Sequence, residues 1–123
     1  MIETDILIAG GGIAGLSATA RLGAAGFDVI CVDPAPVDQP GSDLRTTAFL
    51  QPAVDTLDRA GAWAAMADGA AALWTMRLVD AGGAERTPRE TADFEASEVM
   101  DRPFGWNVTN IAARAALLDR LEE

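Results

Sequence analysis

The sequence predicts an α/β fold, a parallel strand-helix-strand unit followed by the start of an antiparallel sheet. Three observations carry that prediction. A short apolar run at residues 6–9 stands directly before Gly10, Gly12 and Gly15. An alanine-rich segment follows, and a second apolar run, Val29, Ile30, Cys31 and Val32, closes on Asp33. Further on, two runs of strand character flank the turn sequence Asp80-Ala81-Gly82-Gly83.

Residues 5–33 read DILIAGGGIAGLSATARLGAAGFDVICVD, and each part has a physical task. Gly10 lets the chain turn sharply out of the first strand. Gly12 has no side chain to hold a pyrophosphate away from the backbone, and Gly15 lets the following helix lie close to the sheet. That helix, expected over residues 13–25, aims its first free N–H groups, at Ile13 and Ala14, and the positive end of its dipole at the phosphates. Binding then needs no basic side chain, which fits a loop without Arg or Lys. The second strand, residues 28–33, ends on a carboxylate 18 residues after Gly15. An acid at that place accepts hydrogen bonds from the hydroxyls of an adenosine ribose and repels a 2′-phosphate, favouring FAD or NAD over NADP. A glycine-rich turn in an ordinary α/β domain is the competing reading. Strand, glycines, helix, second strand and acid in this order favour a Rossmann-like dinucleotide unit.

After Asp33 the chain changes character. Pro34, Pro36, Asp38, Pro40, Gly41, Ser42 and Asp43 predict a polar loop running into Leu44-Arg45-Thr46-Thr47-Ala48. A helix is expected from Gln51 or Pro52, with Ala53, Val54, Leu57 and Ala60 inward, Asp55, Asp58 and Arg59 outward, and Gly61 ending it. A short helix at residues 62–67 places Trp63 and Met66 in the core. Residues 74–79 and 84–87 are expected as the two arms of a hairpin, and residues 89–102 as a loop with one turn of helix. Residues 103–108 lead into a final helix at 110–121, with Ile111, Ala115, Leu118 and Leu121 as its apolar face. No repeat of 20 to 50 residues is present.

Composition narrows the chemistry. The 123 residues suit one small domain or part of one, and half of them are apolar without any run of 18 to span a membrane. The apolar N-terminus is flanked by Glu3 and Asp5 and is glycine-rich in its middle, unlike a signal peptide, so a cytoplasmic location is expected. Net charge is −10 and all nine basic residues are Arg, which argues against a nucleic-acid partner. The absence of His excludes Ser-His-Asp and Cys-His machinery, and with one Cys it argues against a metal site. Redox chemistry must therefore come from a bound cofactor, and no catalytic side chain is identified. Cys31, inside a strand expected to be buried, reads as a small core residue.

With those residues in place, the chain resembles the FAD-dependent aromatic-ring hydroxylases, most closely their ubiquinone-biosynthesis branch. The segments that carry the resemblance are residues 5–33, then DLRTTAFLQPAVDTLDRAGAW, then FGWNVTNIAARAALLDRL. The first is shared by many FAD enzymes; the other two narrow the match. The resemblance implies a nucleotide domain interleaved with an antiparallel sheet domain that covers the substrate. It divides the chain into an FAD-binding part at 1–72, a substrate-side hairpin and loop at 73–103, and a helix returning to the FAD part at 104–123. It also implies an FAD contact for Arg45 and, on the final helix, for Arg114; an exposed loop or helix Arg is the plainer reading of each. NAD(P)H as co-substrate, O₂, and a small aromatic or prenylated ring as substrate follow from the same resemblance, and peripheral membrane contact stays open.

The Asp-Gly and Gly-Asp motifs of similar enzymes do not occur after these segments, the acidic end Leu121-Glu122-Glu123 opposes a helix dipole, and only two parallel strands are expected. The chain therefore reads as the N-terminal piece of a longer protein, inactive alone. An NAD-dependent dehydrogenase domain and a non-catalytic nucleotide-binding module are the alternative readings.

Overall fold

The computed structural model describes residues 1–35, 43–84 and 87–122. Strand β1 (Ile6–Ala9) pairs in parallel with β2 (Val29–Val32), and helix α1 (Ile13–Gly23) crosses between them. The register Ile6 to Val29 through Ala9 to Val32 extends by one bond, Gly10 N–H to the Val32 carbonyl at 2.8 Å. The glycine turn and the acid that ends β2 are thereby brought to the same end of the sheet. Gly10 makes its turn at φ +117°, a region that disfavours side chains.

Chain order then departs from a doubly wound sheet. Strand β3 (Thr46–Leu50) runs directly into α2 (Gln51–Arg59), and α3 (Trp63–Ala67) leads to β4 (Ala71–Leu73). Later, β7 (Gly105–Thr109) enters between β3 and β4, antiparallel to both, and runs into α4 (Asn110–Glu122). This three-stranded sheet departs from the sequence pattern, which reads residues 44–48 as the end of a loop and 103–108 as a lead-in to the final helix. Gly105 sits tightly against β3, where a Cβ would overlap the Phe49 carbonyl oxygen.

The hairpin is present with a different second arm. Strand β5 (Thr75–Asp80) pairs with β6 (Glu90–Glu95), not with residues 84–87; of those, Glu85 and Arg86 lie outside the described residues and Ala84 and Thr87 are not in strand. Cross-strand chemistry explains the choice, since Met76 faces Phe94 and Arg77 faces Asp93, whose carboxylate accepts from Nε and Nη2 at 2.7 Å each. The acidity that made 90–95 look like loop is therefore the partner of Arg77. The expected helical turn follows as a 3-10 turn at Ala96–Glu98. Of the expected polar loop, residues 36–42 lie outside the described residues.

The core joins α1, α2, α3, α4, β3 and β7 through Leu16, Ala20, Phe49, Leu57, Met66, Val108, Ala113 and Leu117, all buried. Met66 is buried and Trp63 packs against the core as expected, its ring 6.3 Å from that of Trp106. On α2 the expected face is the observed one, with Leu57 and Ala60 buried and Ala53 and Val54 half-buried.

On α4 it is not. The buried residues are Ala113, Ala116 and Leu117, whereas Ile111, Ala115 and Leu121 are exposed and Leu118 is half-buried. Small residues on α1 and α4 let the two helices approach, and that approach selects the Ala113-Ala116-Leu117 stripe. The far end of α4 is tied down by Arg120, whose Nε donates to the Ala60 carbonyl at 2.9 Å beside Gly61, which sits at φ +78°. Cys31 is half-buried rather than core, because β2 has the core on one side only.

Candidate functional site

A cleft of about 450 Å³ opens at the end of β1 and β2, beside the N-terminus of α1. Its size lies within the usual range of small-molecule sites, about 300–1,000 Å³. One wall is the end of β2, with Cys31, Val32 and Asp33, continuing to Ala35. Gly11 and Leu16 form the side toward α1, and the opposite wall is the outer stripe of α4, Arg114, Leu118 and Leu121. The stripe expected to be core thus lines the cleft in part, and its apolar side chains stay accessible there.

Asp33 sits at the centre of this arrangement. Its Oδ2 accepts from the Gly11 N–H at 2.6 Å and its Oδ1 from the Ala35 N–H at 2.7 Å. The Gly11 bond first, then the Ala35 bond, hold the carboxyl below its ordinary value of 3.8, with a smaller contribution from the Arg114 charge. An ionised carboxylate offers about four lone-pair sites, and the bonds to it among the described residues engage two of them. Gly11 makes this possible, since a Cβ there would stand 3.0 Å from the Asp33 Cβ.

The glycine turn supplies the second half of the site. Gly12 caps α1 in extended backbone, at φ −75° and ψ 179°, and no side chain caps the helix. Helix geometry leaves the first-turn N–H groups, including those of Ile13 and Ala14, without intrahelical partners. A Cβ built on Gly12 meets nothing within 4 Å among the described residues, so the turn has open space on that side. At Gly15 the reverse holds, because a Cβ would overlap the Gly10 carbonyl oxygen. Gly15→Val is accordingly expected to force α1 off the turn and to cost about 2–4 kcal/mol of stability, read by chemical denaturation.

Of the residues singled out in the sequence, Asp33 and Arg114 line the cleft together, while Gly10, Gly12 and Gly15 shape the turn beside it. Ile13 packs against the core and Ala14 is exposed in the first turn of α1. Arg45 is not part of the cleft lining; it is paired with Asp43 through Nε at 2.7 Å and Nη2 at 2.8 Å. Sequence reasoning missed Gly11, Leu16, Cys31, Val32, Ala35, Leu118 and Leu121 as lining residues. Gly11 had a signal: it is the middle of three consecutive glycines, opposite the strand end that carries Asp33. The two α4 leucines had none, because their role depends on which side of α4 meets α1.

Among the described residues no group of His, Cys, Asp or Glu suits a metal ion, and no helix is long and apolar enough to cross a membrane.

A family model described as FAD dependent oxidoreductase matches residues 5–102. Among solved structures, the chain is similar to p-nitrophenol 4-monooxygenase PnpA from Pseudomonas putida DLL-E4, with 22% identity and a TM-score of 0.72 over 98% of this chain and 29% of that one. It is similar to pqsL, a probable FAD-dependent monooxygenase from Pseudomonas aeruginosa, with 21% identity and a TM-score of 0.70 over 97% of this chain and 30% of that one. The Diels-Alderase PyrE3 of pyrroindomycin biosynthesis also matches, with 23% identity and a TM-score of 0.69 over 95% of this chain and 23% of that one. The chain therefore spans less than a third of the length of each of these proteins. At these identities the likeness is one of fold, and the same fold carries different chemistries. A search of curated proteins finds no match.

Proposed function

Because the chain belongs to the FAD dependent oxidoreductase family, we propose that its cleft holds the ADP half of FAD in a flavoprotein monooxygenase that hydroxylates an aromatic ring. The observation that carries the cofactor reading is the pairing of an anchored carboxylate with an open helix N-terminus. Asp33, held by Gly11 and Ala35, keeps lone pairs for the ribose hydroxyls. The bare turn at Gly12 leaves room for the pyrophosphate against the N–H groups of α1. Leu118, Leu121 and Val32 give the adenine an apolar wall, and Arg114 adds a positive charge opposite Asp33.

Bound FAD would supply the redox chemistry, accepting electrons from NAD(P)H and passing them to O₂. The chain's own residues bind and orient: glycine backbone toward the diphosphate, Asp33 toward the ribose, and α4 across the base. Arg45 is assigned to the diphosphate end on the strength of the sequence resemblance. The same resemblance, in residues 43–63 and 104–121, supports a phenolic ring of the ubiquinone-precursor kind as substrate and a hairpin at 73–103 on the substrate side.

Two measurements test this reading. Asp33→Ala is expected to weaken FAD binding about tenfold, as two ribose hydroxyls lose a charged acceptor. Since the folded pKa is lowered, the charged form and its backbone bonds are fully present above the ordinary carboxylate range and are lost only as pH falls through the lowered value. Affinity should therefore stay level from neutral pH down to about pH 5. Unchanged affinity in Asp33→Ala would place the carboxylate outside the site. For the reaction, the full-length protein should be yellow and show phenol-stimulated uptake of O₂ with NAD(P)H; flavin that is never reduced would rule the monooxygenase out.

A further inference from the structure

We infer that Asp43 is a positioning residue for diphosphate recognition, holding the Arg45 guanidinium in place and tying it to the first turn of α4. The inference rests on the cofactor reading above and adds a residue to it. Asp43 is the hub of a small network. Its carboxylate accepts from Nε and Nη2 of Arg45, from the Arg45 backbone N–H at 3.1 Å, and from Asn110 Nδ2 at 2.7 Å. Asn110, the first residue of α4, also accepts at Oδ1 from Thr47 Oγ1 at 2.7 Å and donates its backbone N–H to the Arg45 carbonyl at 3.0 Å.

The network therefore joins the turn before β3, β3 itself and the N-terminus of α4. Arg114 lies one helical turn further along α4, in the cleft wall. Arg45 is thus tied, through Asp43 and Asn110, to the helix that carries the cleft residue Arg114.

The pair itself does little for folding, because the Arg45 side chain is 82% exposed and exposed ion pairs are weak stabilisers. What a two-pronged bond does fix is direction. Nε and Nη2 are engaged by Asp43, and the exposure of the side chain leaves the guanidinium accessible to an anion. An Arg held this way loses its rotamer freedom before the ligand arrives, which lowers the ordering cost of binding. Asp43 stays ionised throughout the working pH range, since its bonds from Arg45 and then Asn110 hold its carboxyl far below the ordinary value. It also places a negative charge near an anion. In this proposal orientation has the larger effect, so removing the Asp43 charge should weaken binding rather than strengthen it.

The test uses full-length protein and three probes, FAD, ADP and adenosine, titrated against wild type, Asp43→Ala, Asp43→Asn, Asp43→Glu, Arg45→Ala and the Asp43→Ala, Arg45→Ala double variant. Asp43→Ala and Asp43→Asn are expected to weaken FAD and ADP about 5- to 10-fold and to leave adenosine unchanged. Asp43→Glu should recover part of the loss. In the Arg45→Ala background, removing Asp43 should cost nothing more, since the two act as one unit. Thermal unfolding should move little in every variant. Additive losses, an equal loss with adenosine, or tighter ADP binding in Asp43→Asn overturns the assignment while leaving the cofactor reading intact. Wild-type protein that binds neither FAD nor ADP overturns both.

Discussion

Gly12→Val is expected to yield a protein that folds like the parent and carries no FAD. The backbone at Gly12 is extended, with φ −75°, and an added Cβ meets no atom within 4 Å among the described residues, which offer no objection to a side chain there. The objection comes from the ligand. A branched side chain would stand where the phosphates must approach the N–H groups of α1. Losing two or more hydrogen bonds to a charged group, at about 1.5–3 kcal/mol each, weakens binding on the order of 100-fold or more. Flavin absorbance per polypeptide in the purified full-length protein measures the loss, and circular dichroism checks the fold. Stoichiometric FAD in Gly12→Val would remove this turn from the site. Gly15→Val makes the contrast, because there the clash is with the Gly10 carbonyl and stability falls together with binding.

Leu117→Ala is expected to cost about 2–5 kcal/mol of folding stability, the range for a leucine truncated in a closed core. Leu117 is fully buried, on the stripe of α4 that faces the core. Leu121, one turn later, is 38% exposed and lines the cleft. Leu121→Ala should leave the urea midpoint nearly unchanged and weaken nucleotide binding instead. The pair separates the two jobs of α4 on one helix. A large stability loss in Leu121→Ala with none in Leu117→Ala would mean that α4 is rotated from the orientation described.

The parts legible in the sequence are those whose causes are local. Gly10 needs its turn conformation whatever surrounds it, and the apolar runs of β1 and β2 bracket a helix of the right length to cross between them. Asp33 follows at the end of its strand, so the βαβ unit, the glycine turn and the acid were all placed by residues within a span of 29. Helix α2 was legible for the same reason, its apolar face and its Gly61 stop both lying within a few residues of each other.

What escaped the sequence depends on contacts between distant segments. The register of β3 with β7 joins Thr46 to Thr109, and strands as short as β4, with three residues, carry too little pattern to declare themselves before a partner is present. The second arm of the hairpin was misplaced because Glu90 to Glu95 looks like solvated loop until Arg77 lies opposite Asp93. Helix α4 has apolar residues on two stripes, Ile111, Leu118 and Leu121 on one and Ala113, Ala116 and Leu117 on the other. Hydrophobicity favours the first; close packing against α1 selects the second, because alanines let the helix axes approach and larger side chains there would hold them apart. The sequence by itself thus determined the glycine turn and its acid, whose conformations are dictated by backbone freedom and short-range order. Only the tertiary structure decided that the outer stripe of α4 closes over that turn, because which face of a helix is left open is set by what the other face is packed against.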